Sequence, residues 1–293
     1  MTISEAYPFE SHYVMANDIR LHYVDEGPAD GRPLLFLHGN PTWSYLYRNI
    51  IPPLAADGYR VLAMDNMGFG RSDKPLDVEA HTIQRHVANL QGFIEALNLR
   101  QVTLVGHAWG SVFSLAYAAH KAANVSALVL LNGDTYLAIK LPGLFKILFI
   151  WPITSELFAR RLNLSARLLL QRGTYYRQHL NAAIMARYMD VFSDYTTRAG
   201  VLGLPRMIPV KQNHPSAEFL RQVEVQLPSF QMPVLLLAGA HDPGSGVVAM
   251  QRLQQMLPHA KMHTMEHAGH FMQEDAPEEI VLLIREFLKQ YFS

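Results

Sequence analysis

The residues best placed to do chemistry are an acid and a histidine, Asp242 and His270, and the turn they would serve holds Ala108 at its centre. Gly106-His107-Ala108-Trp109-Gly110 follows the apolar run Val102–Val105 and opens a helix-length segment. Glycines stand two residues either side of the central position. A strand that reverses so tightly into a helix needs small residues there, because side chains would collide with the neighbouring strand and helix. The centre of such a turn is where a nucleophile is presented. Asp242 lies in Gly239-Ala240-His241-Asp242-Pro243, past the run Val234–Leu237, and His270 in His267-Ala268-Gly269-His270-Phe271, past Met262–Met265. Turn, acid, histidine is the order of a triad in which the acid orients an imidazole and the imidazole activates water. Singly, Asp242 reads as a turn residue and His270 as a loop histidine. Together they read as a catalytic pair.

A fourth element, His38-Gly39-Asn40-Pro41-Thr42-Trp43, comes directly after the run Pro33–Leu37. A backbone N–H from this turn and that of Trp109 would make an oxyanion hole. The Asn40 amide and the Trp109 indole add two neutral donors, which in an apolar pocket suit a weakly hydrated anion such as chloride or bromide. Asp134, past the run Ala127–Leu131, could be offered as a substitute nucleophile, but reads better as a turn or helix cap. Arg206 and Lys211 could meet a carboxylate on a ligand, with solvated surface charge as the default reading. The 14 histidines are scattered, with no His-x-x-x-His beside a carboxylate, and there is no phosphate-binding glycine loop. Neither a metal nor a cofactor is expected. The chain has no cysteine, which excludes disulfide and thiolate chemistry.

The elements that must position these residues form an alternating pattern. Strands are expected at Pro33–Leu37, Arg60–Met64, Val102–Val105, Ala127–Leu131, Val234–Leu237 and Met262–Met265, after a hairpin of Ser11–Met15 and Arg20–Val24. Helices are expected at about Ser44–Ala56, Thr82–Leu97, Trp109–Ala122, Val247–Met256 and Pro277–Gln290. This is the rhythm of an α/β protein with a mostly parallel sheet covered on both faces. It breaks between Tyr136 and Leu227, a Leu-, Arg-, Tyr- and Met-rich stretch with helical patterns and no strand. The division is therefore a core of residues 1–135 and 228–293 with an inserted helical cap, 136–227, roofing the carboxyl ends of the strands.

The 293 residues, 49% hydrophobic, are ample for one large core. A net charge of zero gives no bulk attraction to nucleic acid or anionic lipid. Met1 to Phe9 lacks an apolar signal core, so a cytoplasmic location is expected. Leu141 to Ile153 is too short to span a bilayer and reads as a buried or pocket-lining helix, with an interfacial membrane contact as the second reading. Stable membrane insertion is not expected. Leu144, Phe145, Leu148, Phe149, Trp151 and Phe158 suggest a small apolar ligand, halogenated or long-chain.

Taken together, His38-Gly39-Asn40-Pro41-Thr42, Asp65-Asn66-Met67-Gly68-Phe69-Gly70-Arg71-Ser72-Asp73-Lys74-Pro75, the His107-x-Trp109-Gly110 turn and His270-Phe271-Met272-Gln273-Glu274-Asp275 resemble the haloalkane dehalogenases, members of the α/β-hydrolase fold. The similarity runs from about Leu21 to Phe287 and weakens across the cap. The acid at Asp242, the Asn40 and Trp109 pair, and Asn132 where another branch carries a glutamate acid resemble the branch that includes β-lactone decarboxylases of olefin biosynthesis. The resemblance implies that Asn40 and Trp109 stabilise halide, that Asp242 is the acid and that His270 is the base. The departure is Ala108, where the family has an aspartate that attacks carbon and forms an ester. A methyl group attacks nothing. Three readings follow: a dehalogenase-type hydrolase without its nucleophile, inactive or substrate-trapping; a repurposed enzyme using His270 and Asp242 on a lactone or ester; and a non-catalytic ligand-binding protein on a hydrolase scaffold.

Overall fold

The computed structural model describes residues 6–138, 143–244 and 246–292. The start of the N-terminal stretch Met1 to Phe9, and Leu141 and Pro142 of the apolar stretch, lie outside the described residues. Eight strands form one sheet: β1 (His12–Ala16), β2 (Ile19–Glu26), β3 (Pro33–Leu37), β4 (Arg60–Met64), β5 (Val102–His107), β6 (Val125–Leu131), β7 (Val234–Gly239) and β8 (Lys261–Met265). Their order is β1-β2-β4-β3-β5-β6-β7-β8, and β3 to β8 run parallel. β1 and β2 are antiparallel across Asn17-Asp18, where Asn17 has φ 56°; Asn tolerates the positive φ that so short a hairpin turn requires. β3, β6 and β7 are almost wholly apolar and buried because helices cover both faces of a parallel sheet.

The core helices are α1 (Ile51–Ala56), α2 (Ile83–Ala96) and α3 (Trp109–Lys121). The single helix expected over Ser44–Ala56 is instead a 3-10 turn at Ser44–Tyr47 followed by α1. Pro52 and Pro53 explain the break: neither has an N–H to donate back into a continuing helix, so both are tolerated only in the first turn of a new one. Between β6 and β7 the described residues form no strand. They form α4 (Gly143–Phe149), α5 (Pro152–Ser155), a π-helical stretch (Glu156–Arg161), α6 (Leu164–Gly173), α7 (Ala182–Asp190), α8 (Ala199–Arg206) and α9 (Pro215–Gln226). After β7 come α10 (Gly246–Met256), α11 (Met272–Asp275) and α12 (Pro277–Phe292).

The apolar stretch ending at Ile153 is two short helices that Pro152 separates, and its side chains do not all turn inward. The rings of Phe145 and Phe149 pack at 4.6 Å and those of Phe149 and Phe158 at 6.0 Å. Leu144 and Trp151 face outward and line no interior pocket, a correction to their expected role. The reason is helical geometry: Phe145 and Phe149, four residues apart, share the inward face of α4, so Leu144 between turns of that stripe must leave it.

Residues just past the histidine bind the helical insertion to the core. Glu274 in α11 takes two hydrogen bonds from the Arg48 guanidinium, at 2.5 and 2.8 Å, and one from the Tyr188 hydroxyl of α7. Both members of the ion pair are fully buried, and the Arg48 guanidinium lies 4.1 Å above the Tyr45 ring. Asp275 accepts the N–H groups of Tyr175, Tyr176 and Gly269. A buried pair of this kind repays its desolvation only while both charges are present. Arg48→Ala should therefore cost about 3–5 kcal/mol, read by urea unfolding, and a joint Arg48→Met, Glu274→Leu change should recover most of it. If the double variant is as unstable as the single one, the loss belongs to packing and not to charge.

Candidate active site

The turn after β5 is held in a conformation that its central residue would not choose. Ala108 has φ 50° and ψ −111°, and its side chain is buried. A Cβ added at Gly110 would lie 1.9 Å from the Leu37 carbonyl oxygen, and one at Gly106 would lie 2.6 Å from the Gly110 carbonyl oxygen. Strand β5, strand β3 and helix α3 thus meet with no space for side chains, and that contact dictates the turn. The Ala108 N–H donates to Leu131 at 3.1 Å, and its carbonyl accepts the Ser111 N–H at 3.0 Å. The Trp109 N–H, first in α3, has no intrahelical acceptor by position and faces where negative charge is favoured.

His270 and Asp242 come together beside this turn. The His270 Nδ1–H donates to Asp242 Oδ2 at 2.8 Å. Burial by itself would raise the Asp242 carboxyl, but the His270 imidazole and the N–H groups of Gly244 and Gly246, at 2.7 and 3.0 Å, outweigh it and hold the group at about 2. Asp134 is turned elsewhere: it pairs with Arg252 at 3.0 Å and accepts the Thr135 N–H at 2.6 Å. Its carboxyl is nonetheless raised, because burial outweighs Arg252.

Two residues with little chemical signal in the sequence build the platform under the histidine. His107 Nε2–H donates to the His270 carbonyl at 2.8 Å, and the two rings lie 4.9 Å apart. This assigns His107 its neutral tautomer, and burial together with the nearby His270 pushes its pKa down to about 3. Asn132, at the end of β6 with φ 43°, donates to the carbonyls of Gly269 and His270 at 2.8 and 3.1 Å. Its Oδ1 accepts the Gly239 N–H at 2.8 Å. One side chain therefore fastens the end of the acid's strand to the histidine loop. The signal available was an asparagine directly at a strand end, where a positive φ is tolerated. From the other side, the His270 N–H donates to the Gly173 carbonyl at the end of α6, at 2.6 Å.

The two expected anion donors differ. The Trp109 indole packs between Phe113, at 6.0 Å, and Tyr136, at 4.8 Å, and its N–H has no protein acceptor among the described residues. The Asn40 Nδ2 donates to the Val201 carbonyl of α8 at 3.2 Å, while its Oδ1 is buried without a partner among the described residues. Lys211 lines a cavity of about 780 Å³ together with Leu137, Lys146, Val210 and Arg221, next to Tyr136 but not including Ala108, Asp242 or His270. Arg206 is not among its walls and instead meets Glu79 at 3.6 Å.

Residues 32–277 match the family described as alpha/beta hydrolase fold. A haloalkane dehalogenase of Mycobacterium marinum is 40% identical over 94% of this chain and 92% of that protein. A cis-3-alkyl-4-alkyloxetan-2-one decarboxylase of Shewanella oneidensis is 29% identical over 97% of this chain and 89% of its own. Among solved structures, haloalkane dehalogenase DbeA from Bradyrhizobium elkani has a TM-score of 0.87 at 25% identity, covering 97% of this chain and 98% of that one.

The low Asp242 pKa has a consequence for stability. A carboxyl depressed in the folded state stabilises it above the ordinary value of 3.8, and this contribution is lost as pH falls to about 2. The span is worth about 2 kcal/mol. Asp65, raised by burial but lowered further by His22 and His38, is also held at about 2 and contributes acid sensitivity of its own. The measurement is therefore the difference in unfolding free energy between the parent and Asp242→Asn from pH 5 to pH 2. It should shrink by about 2 kcal/mol over that range; a constant difference would contradict the charged pairing of Asp242 with His270.

Proposed function

Because the chain belongs to the haloalkane dehalogenase family of the α/β-hydrolase fold, we propose that its interior is a dehalogenase-type site for a small apolar substrate, lacking only the nucleophile. Ala108 occupies the nucleophile position, Asp242 is the acid, His270 the base, and Asn40 and Trp109 hold the halide. Residues 136–227 act as a cap over the site, with 1–135 and 228–293 as the core. The observation that carries this reading is the 2.8 Å His270–Asp242 hydrogen bond beside a strained turn that ends in a methyl group. Halide binding is supported by the Trp109 indole N–H, which has no protein acceptor among the described residues. An amide nitrogen carries two hydrogens, so Asn40 can serve the halide while bonded to Val201.

The chemistry defines what is missing. In a site of this kind a carboxylate displaces halide from an sp³ carbon and becomes an ester. His270 then takes a proton from water, the hydroxide attacks the ester carbonyl, and the alcohol leaves as the carboxylate is restored. At position 108 the first step has no reactant, so the chain binds substrate and releases halide negligibly. A second reading is favoured by the intact pair next to the Trp109 N–H: hydrolytic or decarboxylative attack on a β-lactone, whose carbonyl can use that donor.

Ala108→Asp is the test. The turn is already formed, so the new carboxylate would project from its apex without rearrangement. Halide release from a panel of 1-bromoalkanes should rise at least about 10³-fold over the parent, the scale of one member of a catalytic unit. A folded Asp variant that releases no halide and consumes no β-lactone would overturn the dehalogenase-type reading. β-Lactone turnover by the parent that falls on acidification and vanishes in His270→Ala would establish the second.

A further inference from the structure

The outer surface of α4, α5, the π-helical stretch and α6 has a composition that the candidate site does not explain. Leu144, Trp151, Ile153, Leu157, Leu162 and Leu164 are all exposed, Ile153 to 85% and Trp151 to 57%. These elements pack against one another in sequence, so the exposed side chains lie on neighbouring elements. Single exposed apolar residues are ordinary, but a contiguous group marks an interaction face. The charge is equally uneven. From Gly143 to Gly173 the basic residues are Lys146, Arg160, Arg161, Arg167 and Arg172, and the only acid is Glu156. Glu156 is already paired with Arg160 at 3.4 Å. Lys146, Arg161, Arg167 and Arg172 have no ionic partner among the described residues. The zero net charge of the whole chain hides this segregation.

We propose that this face docks on an anionic lipid surface. Exposed apolar side chains on elements that also carry the exposed cations Arg161, Arg167 and Arg172 match a headgroup layer, where the former reach the acyl boundary and the latter meet phosphates. Trp151 is the residue type that settles at that depth. No helix among the described residues is long and apolar enough to cross a membrane, so the contact is adsorption and not insertion. A second copy of the chain fits the surface poorly. Two-fold pairing would set the same patch against itself and oppose cation to cation, with Glu156, already paired with Arg160, as the one acid of the segment.

Three tryptophans make the test direct, because Trp43 and Trp109 are buried and Trp151 is not. The full chain is mixed with vesicles of phosphatidylcholine, or of phosphatidylcholine and phosphatidylglycerol in equal parts, then sedimented. The protein should co-sediment with the anionic vesicles, shift its tryptophan emission to the blue, and be released by high salt. Ile153→Gln with Leu157→Gln should weaken binding, and Arg161→Glu should do so at least about tenfold. Val248→Gln, exposed on α10, should leave it unchanged. Equal binding to both vesicle types, no binding, or unmoved tryptophan emission on binding would each overturn the proposal. So would concentration-dependent dimers that Ile153→Gln dissociates without vesicle binding, which would assign the face to a second copy.

Discussion

The close meeting of β3, β5 and α3 governs the site. Because Gly110 lies against the Leu37 carbonyl and Gly106 against Gly110, the chain has one way to pass from strand to helix, and residue 108 takes what is left. A non-glycine residue at φ 50° costs about 1–3 kcal/mol. The cost is met by the buried sheet around it, where β5 and β6 are buried along their whole length. The strain therefore belongs to the scaffold and not to the side chain at its apex. An alanine there inherits a geometry that serves it no chemical purpose.

The same rigidity extends to the base. The His270 carbonyl is held by His107 and Asn132, its N–H by Gly173, and its Nδ1 by Asp242. Four different elements thus converge on one residue: β5, β6, α6 and the loop after β7. Asp275 and Glu274, only a few residues further on, bind the chain around Tyr175 and Tyr176 and the buried Arg48. The histidine loop cannot shift without disturbing contacts to the helical insertion. Preorganisation of the pair and anchoring of the insertion are one network.

Much of this could be read from the sequence, and the failures have physical causes. β3 and β4 fall at their expected bounds because continuous apolar runs between turn residues leave few alternatives. β5 and β7 run two residues further than expected, through Gly106-His107 and Ala238-Gly239, since small or polar residues at a strand end carry no apolar signal. The helix expected over Ser44–Ala56 divides in two because its apolar spacing is continuous but Pro52 and Pro53 lack the N–H groups that would continue it. Asp242, His270 and the turn at Ala108 stood out because each follows a strand with a distinctive residue type. His107 and Asn132 enter the sequence only as parts of the resemblance, without a structural role, because their work is done on backbone carbonyls 163 and 138 residues away. A pattern local in sequence does not carry such partners.

The outward placement of Leu144 and Trp151 shows the limit of reading apolar residues as interior. An amphipathic helix reports that one face avoids water, not which other phase it meets. In α4 the inward face is satisfied by Phe145, Phe149 and Phe158 packing together. Apolar residues beyond that stripe have no core left to enter. The same segment carries Arg161, Arg167 and Arg172 without an ionic partner among the described residues, unlike α12, where Glu278, Glu279, Arg285, Glu286 and Lys289 mix both signs along one helix. Mixed charge suits water, whereas cations of one sign beside exposed leucine, isoleucine and tryptophan suit a boundary between water and an anionic apolar phase. The helical insertion thus has two faces under different constraints, one fixed by the histidine loop and the buried Arg48–Glu274 pair, the other by whatever the molecule rests against.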